Sequence, residues 1–396
     1  MRGIREHIRR GADLAWRTAR RAWWQLLPHL PRSSHRRDAL LYATNELYAD
    51  YLADVVVAAA DDPRIEFRVT TSLEAHREGI GRQLARRVGA RYVHPRLASL
   101  SWWDAAFFSS PRGTDHFHRD VPKVLVQHGL SGSSGKFAAD GNDWVYGDLN
   151  VRRNGRLIFA KMFENSDARR RAVVAQQPDL RNVIAVVGNP KIDRMLEISA
   201  HHATESMGLT ETAAPVLLIQ STFGPHSLIQ RWGTEILERA AELAKSGEMR
   251  VIISLHPNLW TGYAGAEKWG ERARAFETDG LSVLEPGSDW ITHMPRASVA
   301  LTDHTSLSAA FALLGKPVVF CPVPDGAIGK DSHVHQLYEL CPRLQRPANL
   351  AEVVRAAPHE FPFEEVGRLG QQLLSHRGRA LSRFREEILE LLGLPT

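Results

Sequence analysis

The stretch from Arg296 to Pro324, reading RASVALTDHTSLSAAFALLGKPVVFCPVP, constrains the fold of this chain more than any other. Ala297 to Leu301 is apolar and partly β-branched, as a buried strand should be. Thr302-Asp303-His304-Thr305-Ser306 is a polar turn, and Leu307 to Leu314 has helical spacing and stops at Gly315. Lys316-Pro317 then opens a second apolar run, Val318 to Cys321. The result is a strand, loop, helix, strand unit whose loop is rich in hydroxyls. A helix that begins just after Thr305-Ser306 turns unpaired backbone N–H groups and the positive end of its dipole toward whatever sits above the loop, which suits an anion such as a phosphate. The competing reading is that Thr305 or Ser306 is simply an N-cap.

The alternation repeats along the chain. Leu40 to Ala43, Ile65 to Val69, Arg91 to Val93, Asp104 to Ser109, Lys123 to Gln127, Leu157 to Phe163 and Val183 to Val187 read as strands of a first half, with helices over Glu46 to Ala60 and Leu73 to Val88. His201 to Thr212 is polar and poor in apolar residues, and reads as the hinge. Pro215 to Gln220, Arg250 to Leu255 and Leu281 to Leu284 supply strands of a second half. Leu350 to Leu392 is helical apart from a break at Pro358 to Pro362, and its final helix is expected to fold back across the first domain. Strands alternating with helices predict an α/β chain with parallel sheets covered on both faces, ligands gathering at the carboxyl ends of the strands. A chain of 396 residues exceeds one ordinary core, and the expected division is a segment 1–32, a domain 33–205 and a domain 206–396.

Charge narrows the partners. A formal charge of +5 and a pI near 9.3 call for an acidic one: a nucleotide, an anionic membrane or a nucleic acid. Two cysteines, Cys321 and Cys341, make no disulfide framework, so a reducing cytoplasm is the default. No apolar run reaches the length of a membrane span, and arginines stud the first residues where a secretory signal needs an apolar core. The expectation is a chain that neither crosses a membrane nor is exported by the usual route. In residues 1–31, Ile4, Ile8, Ala12, Ala15, Ala19, Ala22 and Leu26 recur at helical spacing beside Trp16, Trp23 and Trp24, with seven arginines around them. Such a helix fits the headgroup region of an anionic leaflet; docking on the protein's own body, or dimerisation, are the other uses of the same pattern.

Several loops carry chemistry. The strand ending at Gln127 runs into His128-Gly129-Leu130-Ser131-Gly132-Ser133-Ser134-Gly135-Lys136, whose glycines let backbone approach a ligand, though five residues between Gly129 and Gly135 rule out a Walker A loop. His128 follows a buried strand, where an imidazole can take a proton near neutral pH. Gly188-Asn189-Pro190 follows another strand. In the second half Ser221-Thr222, His256-Pro257 and Asp303 to Ser306 are expected to converge on one rim, facing His128 across a cleft. The pairs His116-x-His118, His201-His202 and His333-x-His335 lack zinc-type partners at standard spacing and read as loop histidines, and Trp102-Trp103 reads as core packing.

These loops resemble those of the CDP-glycerol glycerophosphotransferases, the primases and polymerases of teichoic-acid and related capsule synthesis, over about Val121 to Pro324. The residues that carry the resemblance are Gln127-His128-Gly129, Gly188-Asn189-Pro190-Lys191-Ile192-Asp193, Leu255-His256-Pro257, and Thr302 to Ser306 with Gly315-Lys316-Pro317-Val318. The chain departs from that pattern at His304, where the family carries an aromatic, and at Phe223-Gly224-Pro225. The resemblance implies two Rossmann-like domains of the GT-B type. It implies attack of an acceptor hydroxyl on a CDP-alcohol, with His128 as general base and His256 and Asp303 as further catalytic residues. Gly129, Gly188, Asn189, Ser221, Thr222, Thr305 and Ser306 would bind the donor. It requires no metal and no separate cofactor. Its partners would be a nucleotide-activated donor, a lipid-linked or glycan acceptor and an anionic membrane surface, with no nucleic acid, at the inner face of the cell membrane. A GT-B glycosyltransferase or epimerase using a UDP-sugar is the alternative within enzymes, and a basic membrane or nucleic-acid binding module the alternative outside them.

Overall fold

The computed structural model describes residues 15–29, 36–127, 129–130, 148–206, 214–262, 267–286, 288, 290–330 and 332–396. His128, Ser131 to Lys136, the first fourteen residues of the basic segment and the end of the expected hinge lie outside them.

Two parallel sheets organise the chain. The first contains β1 (Arg37–Ala43), β2 (Ile65–Thr71), β3 (Arg91–Tyr92), β4 (Ala105–Phe108) and β5 (Lys123–Val126). A small antiparallel pair, β6 (Arg152–Arg153) and β7 (Arg156–Leu157), precedes its last strands, β8 (Lys161–Glu164) and β9 (Ile184–Val186). The second sheet contains β10 (Val216–Ser221), β11 (Arg250–Leu255), β12 (Leu281–Leu284), β13 (Val299–Thr302) and β14 (Val318–Phe320). Strand orders are β3-β2-β1-β4-β5-β8-β9 and β12-β11-β10-β13-β14. Every residue of β4, β5 and β13 is buried, as parallel strands covered on both faces must be, and their sequences are accordingly continuous apolar runs apart from Lys123 and Thr302. In both sheets the order reverses beside the first strand, between β1 and β4 and between β10 and β13. Such a reversal opens a crevice at the carboxyl ends of the strands.

The chain closes on itself. After the helix Phe363–Leu373 it crosses back, and the helix Ala380–Leu391 lies against the helix Glu46–Ala59 of the first lobe. Phe384, Ile388, Leu389 and Leu392 join the first lobe's core, with Phe384 edge-on to Phe163 at 5.0 Å between ring centres. Lys161 pairs with Glu387, and with Glu390 at 3.0 Å.

Three expectations need correcting. The helix expected over Leu73 to Val88 is two, Leu73–Arg77 and Ile80–Arg87, because Gly79 between them takes φ +81° and breaks the hydrogen-bond ladder. The strand expected over Leu157 to Phe163 begins only at Lys161. Its first residues belong to a hairpin at Asn154-Gly155, both with positive φ, an Asn-Gly turn of the type that joins two short strands. The hinge expected from His201 is helical as far as Ser206, continuing the helix that starts at Pro190. Of the uses open to the basic segment, its described part, helical over 15–26, shows docking on the first lobe. Its indole N–H groups donate to backbone carbonyls, Trp23 to Leu100 and Trp24 to Ser99, each at 2.8 Å, while Leu27 is buried.

Candidate functional site

At the reversal point of the second sheet, three strand ends are tied together by hydrogen bonds. The Ser221 hydroxyl lies 3.1 Å from Asp303 Oδ2 and accepts the Ile229 N–H at 3.1 Å. The Thr222 and Leu228 N–H groups donate to Asp303 Oδ2 at 3.0 and 2.9 Å, and the His256 N–H donates to the Ser221 carbonyl at 2.9 Å. One carboxylate at the end of β13 thus organises the loop after β10 and the start of the helix Leu228–Lys245. Burial pushes the Asp303 carboxyl above the usual carboxylate range, while His304 and these donors pull the other way.

Asp303 therefore does not fit the catalytic role expected of it. It is 0% exposed, and both its oxygens accept protein donors, so it cannot touch a substrate. Ser221, also buried, spends its hydroxyl inside the same network rather than on a ligand. Both are positioning residues for the rim.

The half-buried groups on that rim are Thr222, His256, His304, Thr305 and Ser306. The choice between cap and ligand group divides between two hydroxyls. Thr305 Oγ1 accepts the Leu307 N–H at 3.3 Å, whereas Ser306 makes no side-chain cap bond to the helix Leu307–Leu313. His256 Nδ1 accepts the Asn258 N–H at 3.1 Å, which places the ring proton on Nε2. Its ring packs 4.6 Å from that of Phe223. Burial pushes its pKa down to about 4, so at neutral pH it is an uncharged N–H donor, suited to a phosphate oxygen but not to acting as a cation. His304, noted in the sequence as a departure and given no role, has a buried Nδ1 with no partner among the described residues, and burial lowers its pKa too.

From the first lobe, Gly129 reaches this rim directly. Its φ is +84°, and a Cβ placed on it would lie 2.9 Å from Ser306 Oγ. The loop after β5 and the loop after β13 are therefore in contact across the two lobes. His128, the expected base, lies outside the described residues.

Gly188 and Asn189 have other work than binding a ligand. Gly188 has φ +78°, and a Cβ there would meet the Ser375 carbonyl at 2.7 Å, so the glycine makes room for the crossing segment. Asn189 Oδ1 accepts the N–H groups of Lys191 at 3.1 Å and Ile192 at 3.3 Å, capping the helix Pro190–Ser206. Asp193, which ends that motif, accepts the Ala380 N–H at 3.0 Å where the returning helix begins. Lys316 donates to the carbonyls of Ala297, at 2.7 Å, and Pro295, at the end of β13 remote from the rim.

His116 and His118 have local partners, Tyr42 and Trp24 among them, and Trp103 is buried with its indole N–H on the Ala98 carbonyl at 2.9 Å. Among the described residues no group of three or more His, Cys, Asp or Glu side chains stands close enough to hold a metal ion.

No family model matches this chain, and no curated protein matches it in sequence. Solved structures do match in fold. The wall teichoic acid polymerase TagF superposes with a TM-score of 0.63 at 10% identity, over 98% of this chain and 97% of that one. The MnaA protein of S. aureus, solved with UDP, gives 0.57 at 13% identity over 91% and 98%. The UDP-GlcNAc 2-epimerase of Neisseria meningitidis, bound to UDP-GlcNAc, gives 0.53 at 13% identity over 90% and 99%. At such identities the likeness is one of fold: two Rossmann-like lobes in the GT-B arrangement.

Proposed function

We propose that this chain is a transferase that moves a glycerol-phosphate or similar polyol-phosphate group from a CDP-alcohol to a hydroxyl of a lipid-linked or saccharide acceptor in cell-envelope polymer synthesis. The observation that carries this reading is the contact of Gly129 with Ser306. It brings Gly129, which follows His128 in sequence, against a rim of hydroxyls and an uncharged imidazole, at the reversal point of the second sheet. Thr222, Thr305, Ser306 and the His256 Nε2–H are the donors available to a diphosphate there.

In the proposed step the acceptor oxygen attacks the phosphorus that bears the alcohol. A new O–P bond forms as the bond from that phosphorus to the bridging oxygen breaks, and CMP leaves with the bridging oxygen. The acceptor's proton passes to His128, whose role rests on its place in the sequence. Neutral donors fixed around the leaving phosphate stabilise the charge that develops on it without reorganising.

The test is thermal stabilisation by CDP-glycerol, CDP-ribitol and UDP-GlcNAc, followed by CMP release. A ligand that binds only the native state at a hundredfold over its Kd adds about 2.7 kcal/mol. Stabilisation by UDP-GlcNAc alone would replace this reading with a UDP-sugar enzyme, the chemistry of the similarly folded UDP-GlcNAc 2-epimerase of Neisseria meningitidis. A His256→Ala variant should lose CMP release by on the order of a hundredfold if the imidazole serves the leaving group, and a non-enzymatic binding module would be indifferent to it.

The docked basic helix supports a membrane-surface location at the inner face. It leaves Trp23, Leu26 and the neighbouring lobe's Leu97 exposed, and Arg17 and Arg21 are exposed on the same helix.

A further inference from the structure

Gly129 is held by more than the end of β5. The Gly129 N–H faces the phenol oxygen of Tyr51, on the helix Glu46–Ala59, and the Gly129 carbonyl accepts the Asn165 side-chain N–H at 2.7 Å. Neither Tyr51 nor Asn165 belongs to the second-lobe rim, and both are buried, at 7% and 4% exposure.

The polarity of the Asn165 bond follows from its neighbours. Asn189 Oδ1 accepts two backbone N–H groups, which can only donate, so the Asn189 amide nitrogen must face Asn165. That nitrogen donates to Asn165 Oδ1 at 3.2 Å, which leaves Asn165 Nδ2 to donate to Gly129. The Asn165 backbone carbonyl in turn accepts the Ser375 N–H at 3.0 Å, from the segment that crosses between lobes. A relay of fixed direction therefore runs from the cap of the helix Pro190–Ser206, through Asn165, to Gly129, against which Ser306 stands.

We propose that Tyr51 and Asn165 are positioning residues, gripping the Gly129 peptide from its two sides and holding it in the left-handed conformation against Ser306, so that group transfer depends on them although neither meets a substrate. This rests on the transferase reading above. The sequence gives no hint of it, because Tyr51 sits in an ordinary amphipathic helix and Asn165 is 36 residues from its partner.

Tyr51→Phe keeps the ring and removes only the acceptor; Asn165→Ala removes the donor. In both variants kcat for CMP release from CDP-glycerol should fall about tenfold or more with KM within twofold, since a small misplacement of reacting groups costs rate rather than ground-state binding. Hydrogen exchange at Gly129 should quicken about tenfold, with exchange elsewhere and stabilisation by CDP as in the wild type. Unchanged kcat in both variants, or faster exchange spread over the whole protein, would overturn the proposal. Should the wild type release no CMP, the transferase reading fails and exchange decides the rest. Quickening confined to the Gly129 segment would uphold the grip, and wild-type rates there would end it. Tyr51→Phe keeps the test open if Asn165→Ala fails to fold.

Discussion

Gly129 and Ser306, from different lobes and 177 positions apart in the numbering (306 − 129), face each other so closely that no side chain fits between them: a Cβ on Gly129 would stand 2.9 Å from the Ser306 oxygen. Two separate costs bear on Gly129→Ala. The left-handed backbone at φ +84° penalises any L side chain by about 1–2 kcal/mol, and the collision adds to it. Only the second cost is relieved by shortening the partner. The double variant Gly129→Ala, Ser306→Gly should therefore recover part of the stability and nucleotide binding lost by Gly129→Ala alone. A coupling of at least about 0.5 kcal/mol in a denaturation cycle is expected, and strict additivity would show that the two lobes do not meet here in solution.

Removing the Asp303 carboxylate should damage the fold before it damages chemistry. Asp303→Ala leaves the Thr222 and Leu228 N–H groups without their acceptor, and the Ser221 hydroxyl with the Thr222 carbonyl in place of the carboxylate. A loss of about 3–5 kcal/mol by chemical denaturation is expected, together with loss of stabilisation by CDP-alcohols. A variant with wild-type stability but no turnover would instead return Asp303 to a catalytic role.

The second half was legible because its strands are apolar runs bounded by polar turns. Arg250–Leu255 and Leu281–Leu284 stand where the sequence put them. The fold class followed from that alternation. The misreading at Leu157 came from letting apolar content outweigh the Asn154-Gly155 turn signal. In the site, convergence of the loops after β10, β11 and β13 was readable from topology, but the direction in which Asp303 points was not. An aspartate on a loop can face a ligand or the backbone, and only a count of the N–H groups needing acceptors separates the two. Asn189 illustrates the same limit: a cap and a ligand contact have one sequence signature.

His256 should give stability a pH dependence of known sign. Its folded-state pKa is depressed to about 4 from an ordinary 6.5, so between those values the unfolded chain binds more protons than the folded one. Stability is then full above about pH 6.5 and is lost as pH falls toward about 4. Other buried histidines, His116 and His304 among them, contribute in the same direction, so the measurement is the difference between wild type and His256→Asn. That difference should change with pH across this window and level off on either side. A flat difference would mean that the ring takes up its proton in the fold at the same pH as in the unfolded chain.

The amino-terminal helix offers the most direct test of membrane contact, because docking and exposure divide its residues. Trp24 and Leu27 hold it to the lobe, whereas Leu26 is 58% exposed and Leu97, on the neighbouring helix Pro95–Ala98, is 61% exposed. Deleting the whole segment would uncover the surface around Ser99 and Leu100 and confuse the result. Leu26→Glu leaves the docking contacts alone and places a like charge before an anionic leaflet. Burial of one leucine is worth about 1.5–3 kcal/mol, so co-sedimentation with vesicles containing phosphatidylglycerol should weaken about tenfold or more, and thermal stability should be unchanged. Vesicles of phosphatidylcholine alone should bind the wild type less, since Arg17 and Arg21 then have no opposing charge. Equal sedimentation of wild type and Leu26→Glu would assign the helix to the lobe alone.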